Sequence, residues 1–308
     1  MQIGTVKQIG RYAVKSMAGE QLDVCIVGLR GIPGDRGWAL RDETTGELTN
    51  AKQLPVLMQC AARYREAPRD QFIPHVDIRL PDGTELGSDL PEINARLSAL
   101  VGKPVSLWPQ QPASNVEHYR RSSKMARMLG QLARFRVFRA ALPILTSFGH
   151  ANVELRETFS REPSEPVPDL STLPPELLEF TSPPGTYFDA FPIHVLTTAS
   201  LQMMCRLNPA ATWDVRRFRP NFLVETDPAI QGLVDAEWSG QTLRIGRVEL
   251  RCEIPAVRCG MTMHAQAELP KDPSILRSIV RDADQNLGIY ASVVSPGEVR
   301  VGDVVEIN

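Results

Sequence analysis

A mainly β fold with peripheral helices, an α+β arrangement, is what this sequence predicts, on three observations. Short β-rich runs separated by turn signals recur through the first 108 residues. From Asp189 onward, strands alternate with helices that carry cap and stop residues. Between these parts lies a proline-rich stretch, and proline withholds backbone donors and resists regular structure. At 308 residues, one large domain or two are both compatible with the length.

The elements follow in order. "IGTVKQIGRYAV" and "QLDVCIVGL" read as strands, and "RGWALRDETTGELTNAKQ" reads as a hairpin turning at Thr45–Gly46. "HVDIRLPDGTELG" is a second hairpin, turning at Asp82–Gly83, since Asp-Gly between alternating runs is a strong hairpin signal. "SDLPEINARLSALVG" predicts a helix with Ser88 or Asp89 as its cap and Gly102 as its stop. Strands at this spacing suggest a small barrel or sandwich. Residues 109–185 predict a connector or covering segment, in which "HYRRSSKMARMLGQLARFRVFRAAL" reads as a basic helix or a covering loop.

Beyond it, "TTASLQMMCRLNP" predicts a helix entered through a Thr/Ser cap and ended by Asn208-Pro209. "RRFRPNFLVET" predicts a strand behind an arginine cluster, and "QTLRIGRVELRCEI" a hairpin turning at Gly246. "DPSILRSIVRDAD" predicts a helix capped by Asp272, before the closing strands "LGIYASVV" and "EVRVGDVVEI".

Composition narrows the function. A formal net charge of -2 argues against a general binder of nucleic acid or other polyanions. The N-terminus lacks a secretory signal and no run of about 18 apolar residues occurs, so a cytoplasmic protein with no membrane span is expected. Five widely spaced cysteines, Cys25, Cys60, Cys205, Cys252 and Cys259, form no Cys-x-x-Cys, which argues against a disulfide framework or a four-ligand zinc site. Nucleotide-binding loops, a nucleophile elbow and a zinc-protease motif are all missing. What remains is "VRCGMTMH": Arg258 beside Cys259 invites a lowered thiol pKa, and the thiolate is the form that attacks or binds metal. Alternation along a strand leaves their direct contact open, as it leaves open a plain buried cysteine.

Taken in order, "YAVKSMAGE", "GDRGWALRD", "FPIHVLTTASL", "DVRRFRPNFLVE", "RCGMTM" and "LGIYASVVSPGEVRVGDVV" resemble the MOSC family, whose members are similar to the C-terminal domain of molybdenum cofactor sulfurase. The most similar subgroup contains the mitochondrial amidoxime-reducing component and the bacterial reductases of N-hydroxylated bases. The resemblance spans roughly residues 1–100 and 186–308. It implies an N-terminal β-barrel-like domain over residues 1–108, packed on a MOSC β-barrel domain over 186–308. It also implies a molybdenum cofactor (Mo-molybdopterin), with Cys259 of the Arg-Cys-x-x-Thr motif as molybdenum ligand and catalytic centre; a soft thiolate suits that metal. Lys15 and Ser16 match the family's Lys-Ser pair, Arg36 its Asp-Arg pair, and Arg219 and Asn221 its Arg-Pro-Asn. Thr198 and Ser200 fall at a helix start, a natural anion site, and Arg258 flanks the ligand.

The implied reaction is the reduction of an N-hydroxylated small molecule, N–OH to N–H plus water. Electrons would come from a separate ferredoxin- or cytochrome b5-like protein with its reductase, because the sequence stops after its last barrel strand, without the cysteine-rich ferredoxin domain of some relatives. The proton donor is open, with Asp214, Tyr187 and His264 as candidates. The sequence also departs from relatives at Tyr12-Ala13, where Tyr-Pro is usual, and at Ala256-Val257, where a second cysteine often stands. Two alternatives stay in view: a sulfur carrier using a Cys259 persulfide, and a non-catalytic cofactor-binding module.

Overall fold

A computed structural model of the protein describes residues 1–69, 72–145 and 149–308. The first part forms β1 (Gln2–Arg11), β2 (Glu20–Leu22), β3 (Val24–Val27), β4 (Trp38–Asp42), β5 (Ala61–Tyr64), β6 (Val76–Arg79), β7 (Glu85–Gly87), α1 (Ile93–Val101) and β8 (Val105–Pro109). The central part is helical, with α2 (Val116–Tyr119), α3 (Lys124–Ala133), α4 (Arg136–Leu145), α5 (Gly149–Phe159) and α6 (Glu176–Glu179). The last part forms β9 (Ile193–Thr197), α7 (Thr198–Leu207), β10 (Phe222–Thr226), β11 (Thr242–Ile245) and β12 (Val248–Val257). It ends with α8 (Pro273–Asp282), β13 (Asn286–Ser295), β14 (Gly297–Arg300) and β15 (Val304–Ile307).

Seven strands close a barrel in the order β10-β9-β13-β12-β11-β15-β1, with β1 also pairing with β10. Closure leaves no open edge for another chain to add to. β9 and β10 are parallel, which requires a crossover; α7 supplies it, capped by the Thr197 hydroxyl, which accepts the Ser200 amide. Inward residues such as Ile3, Ile9, Val195, Phe222, Leu250 and Ile289 fill the interior. The first strand of the chain therefore completes a barrel built otherwise from its last third. Gly4 allows this, because a Cβ there would lie 1.9 Å from the Glu225 carbonyl oxygen.

A second core, including Val14, Met17, Trp38, Leu57, Ile78 and Leu97, sits under two small sheets, β4-β8 and β5-β6-β7, in a barrel-like arrangement. The Asp82–Gly83 and Gly246 hairpins form as the sequence predicts, and Asp272 caps α8 by accepting the Ser274 amide. One expectation is corrected, and one is met only in part. The Thr45–Gly46 hairpin forms but is short: Asp42 accepts the amides of Thr44 and Thr45, and the arms pair through Asp42 N–H to the Glu47 carbonyl and Thr49 N–H to the Leu40 carbonyl, while the longer ladder of β4 runs along β8. Neither Ser88 nor Asp89 caps α1, which begins at Ile93. Ser88 accepts the Val76 amide instead and Asp89 pairs with Arg65, while Gly102 stops the helix at φ 74° as expected.

The segment expected to be a connector is mostly helix. Its arginines hold it together and to the rest of the chain. Arg121 donates to the Leu177 carbonyl, Arg134 pairs with buried Glu179, and Arg139 donates to the carbonyls of Ser171 and Leu173. Pro143 falls inside α4, whereas other prolines cluster in the 163–168 loop and just before α6 at Pro174 and Pro175. No described helix is long and apolar enough to cross a membrane.

Candidate functional site

Where β1 ends, β9 begins and β12 runs out into the 258–264 loop, the two cores and the helical segment enclose a cavity of about 860 Å³. Its lining includes Lys15, Ser16, Arg36, Arg219, Asn221, Arg258 and Cys259. The structure thus gathers in one place residues separated by more than 240 positions in sequence.

Lys15 follows β1, with its amide bonded to the Trp38 carbonyl. Its buried ammonium donates to Ser182 Oγ (3.0 Å), the Tyr187 carbonyl (2.7 Å) and Asp189 Oδ1 (2.8 Å). Burial lowers the Lys15 pKa and Asp189 opposes the shift. Burial also pushes Asp189 up, but the charges of Lys15 and Lys52 prevail and hold its carboxyl well below the ordinary range. The Asp189 side chain remains exposed at 57%, and because it lines the cavity, that face is available to a ligand.

Arg36 pairs with Asp35, whose carboxylate also accepts the Tyr12 amide and Asn221 Nδ2. Arg219 lies 4.1 Å from the Tyr12 ring centroid and Arg36 5.0 Å, so this one tyrosine carries two guanidinium groups. Burial lifts the Tyr12 phenol to about 12. Ser16, Arg36 and Arg219 all have left-handed backbone, with φ of 73°, 52° and 54°. Such conformations cost about 1 kcal/mol or more each and persist where surrounding structure imposes them, commonly at ligand sites.

Asn221 has a different part from the one its motif suggests. Its Oδ1 accepts the His194 amide, and its Nδ2 donates to the Gly10 carbonyl and to Asp35. It therefore ties β1, the start of β9 and the Asp35–Arg36 pair together, and both of its amide protons are already engaged.

Around the cysteine, Arg258 turns back from the strand end. It donates to the Phe218 carbonyl (2.8 Å) and stands 3.5 Å from His194 Nε2. Burial, then Arg258 and Arg36, push the His194 pKa well below its usual value, so that ring is neutral. Gly288 makes room for the ring, since a Cβ there would lie 2.2 Å from His194 Nε2. Half-buried Cys259 opens the turn 260–263, where Thr262 donates through its amide and hydroxyl to the Cys259 carbonyl.

Two arginines that the sequence reading passed over brace this turn. Fully buried Arg217 donates to the carbonyls of His264 and Pro270 at 3.2 and 2.8 Å, and at longer range to that of Thr262. Arg161, from the helical segment, donates to the Arg258 carbonyl (2.8 Å) and Gln285 Oε1 (3.1 Å). Arg217 sits inside the conspicuous "RRFRPN" cluster; nothing local marks Arg161.

Thr198 and Ser200 lie outside the lining of this cavity, and their hydroxyls have partners in the fold: Thr198 bonds Thr226, and Ser200 donates to buried Asp235 at 2.8 Å. The helix start is closed by its own Thr197 cap. The three proton-donor candidates also lie elsewhere. Asp214 caps a short helical turn and pairs with Arg216, Tyr187 bonds the Pro109 carbonyl and His118, and His264 is absent from the lining. The lining instead presents Tyr290 from β13, its ring 5.5 Å from that of His194. Burial raises its phenol to about 12, with Arg258 opposing, so the hydroxyl keeps its proton at neutral pH.

Guanidinium nitrogens in this cavity lack partners. Arg219 Nη2 and Arg258 Nε are buried without a hydrogen bond among the described residues. An unsatisfied buried donor is costly, more so on a charged group, and an anion reaching both arginines would relieve it. Lys15, Arg36, Arg219 and Arg258 around one thiol make a cationic cradle for an anionic group that carries a soft metal. The donor set fits a molybdenum cofactor, whose pterin ends in a phosphate.

Fold and site together define a class of closed β-barrel proteins with a half-buried cysteine in a cavity lined by cationic side chains. Family comparison makes this specific. Residues 3–111 match the MOSC N-terminal beta barrel domain and residues 184–306 the MOSC domain. The chain belongs to the MOSC-domain proteins that carry this N-terminal barrel, a family associated with molybdenum-cofactor binding. Residues 112–183 lie outside both matches.

Among solved structures, the YuaD protein from Bacillus subtilis is similar over 99% of this chain and 95% of its own, at 14% identity and a TM-score of 0.42. YiiM from Geobacillus stearothermophilus and YiiM from Escherichia coli are 15% and 13% identical, with TM-scores of 0.28 and 0.29. Each alignment covers 38% of this chain and 54% of theirs. No curated protein matches the sequence.

Proposed function

We propose that this protein is a molybdenum-cofactor oxidoreductase that reduces N-hydroxylated small molecules, with Cys259 as the protein ligand to the metal. The observation that carries this reading is the meeting of Cys259 with Lys15, Arg36, Arg219 and Arg258 in one cavity. A sulfur carrier needs the thiol but not that cradle. Among the described residues, no group of three or more His, Cys, Asp or Glu is placed to hold a metal, so a metal at Cys259 would arrive with ligands of its own.

When bound, the cofactor supplies two-electron chemistry at the metal, and the balanced conversion takes N–OH, two electrons and two protons to N–H and water. The chain's own residues do the rest. Arg219 and Arg258 offer their unpaired nitrogens to the anionic end, and Lys15 and Arg36 add charge while held in place by Asp189 and Asp35. Asn221 positions Asp35. Tyr290 offers a protonated hydroxyl in the lining, whereas neutral His194 is held against Arg258. Electrons would come from a separate ferredoxin- or cytochrome b5-like partner in the cytoplasm.

The test is molybdenum and released-pterin content of protein made in a cofactor-producing host, beside Cys259→Ala and Arg219→Ala. Near-stoichiometric metal in the wild type, with at least a ten-fold loss in Cys259→Ala, is expected, followed by turnover of benzamidoxime with a reduced donor. Wild-type protein without metal or pterin would overturn the reading, and persulfide labelling of Cys259 would then test sulfur transfer.

A further inference from the structure

The cavity has a second half that the cationic cradle does not account for. Residues 112–183, outside both family matches, contribute Leu129, Leu155, Leu173, Leu177 and Leu178 to its lining. All five are only partly buried, and none belongs to a hydrophobic core cluster of the protein. They come from three stretches of the segment (α3, α5 and the run into α6), yet meet around one space. Barrel residues face them: Phe188, Phe191 and Met261 line the same cavity. A helical cover whose only task was to shield the cradle would bury its leucines against one another. Here they keep apolar surface turned to the cavity, where a ligand could remove it from water. Pockets of this kind, mostly apolar with a few convergent polar groups, are the usual form of small-molecule sites.

From this placement we infer that the 112–183 segment is the substrate-selecting wall. It takes the apolar body of an N-hydroxylated aromatic or long-chain alkyl compound while the N–OH group points toward Cys259. The inference rests on the proposed reductase reading for the N–OH end only.

Calorimetric titration of the full-length, cofactor-loaded protein tests it with acetamidoxime, benzamidoxime and 4-hexylbenzamidoxime, together with the amidine of the last. Affinity should rise along the series, about four-fold for each methylene that becomes buried. Leu177→Ser should weaken the hexyl probe about ten-fold and leave acetamidoxime unchanged, while Leu177→Met should retain wild-type behaviour, separating lost contact from misfolding. Equal affinity for all three amidoximes, or a Leu177→Ser effect on melting temperature without one on binding, overturns the inference and leaves the reductase reading standing. If the hexyl amidine binds as tightly as its amidoxime and the dependence on chain length persists, the apolar wall stands and the N–OH reading falls.

Discussion

The barrel and its helical cover line one cavity but are stabilised in opposite ways. In the barrel, continuous backbone ladders close on themselves around a fully apolar interior. In the cover, short helices are fastened by arginines reaching carbonyls across loops, as Arg139 reaches Ser171 and Leu173, and a set of its leucines lines the cavity. The first arrangement fixes charged groups where displacement would be costly. The second sets the shape of a wall, which can change without unfolding the site. The family matches divide in the same way, covering both barrels and omitting the cover.

The sharpest break in this comparison is chemical. Tyr290→Phe should lower kcat by roughly a hundred-fold with little change in metal content, as expected for loss of a positioned proton donor. An unchanged kcat would remove Tyr290 from the reaction.

Next comes packing. Ile289→Ala, in the closed barrel, should cost about 2–5 kcal/mol in chemical denaturation. Leu173→Ala in the cover should cost about 1 kcal/mol or less, because that side chain is only partly buried. Similar values for both would mean that the cover is as integral to stability as the barrel.

Arg217→Met tests the brace behind the cysteine turn. Four carbonyls, those of Thr212, Thr262, His264 and Pro270, lose their donor, and a destabilisation of about 2–4 kcal/mol is expected. Cofactor retention should fall with it. A stable variant that keeps its metal would show that the turn holds itself.

The smallest effect is a pH dependence where the cover meets the rest of the chain. His118, buried and in contact with Tyr187 Oη at 2.7 Å, has its pKa lowered to about 4 by burial, with Arg41 adding to the shift. Its folded value lies below the unfolded value of about 6.5. Its contribution to stability is therefore complete above that value and is lost as pH falls toward 4. Melting temperature should drop through this window, and His118→Asn should flatten the slope. An identical slope in the variant would assign the acid sensitivity to other groups.

Much of the fold was legible locally. The Asp82–Gly83 and Gly246 turns, the Asp272 cap and the Gly102 stop are set by residues within a few positions of the feature they create. The cysteine and the cations that line one cavity with it were legible as motifs. What local sequence does not carry is which distant group a polar side chain will meet. Ser200 has the residue type and position of an anion-binding helix start, yet buried Asp235, 35 positions later, takes its hydroxyl. Asn221 has a donor and an acceptor suited to a ligand edge, yet β1, His194 and Asp35 engage them first. Ser88 and Asp89 fail as helix caps for the same reason, each claimed from another strand or by Arg65. The sequence by itself determined the elements, the thiol and the excess of cations around it. Only the tertiary structure decided that β1 closes the far barrel, that Arg161 reaches the cysteine turn, and that the leucines of the 112–183 segment face the cavity. The physical reason is that hydrogen bonds and burial are shared between residues hundreds of positions apart, and folding alone determines which of them compete.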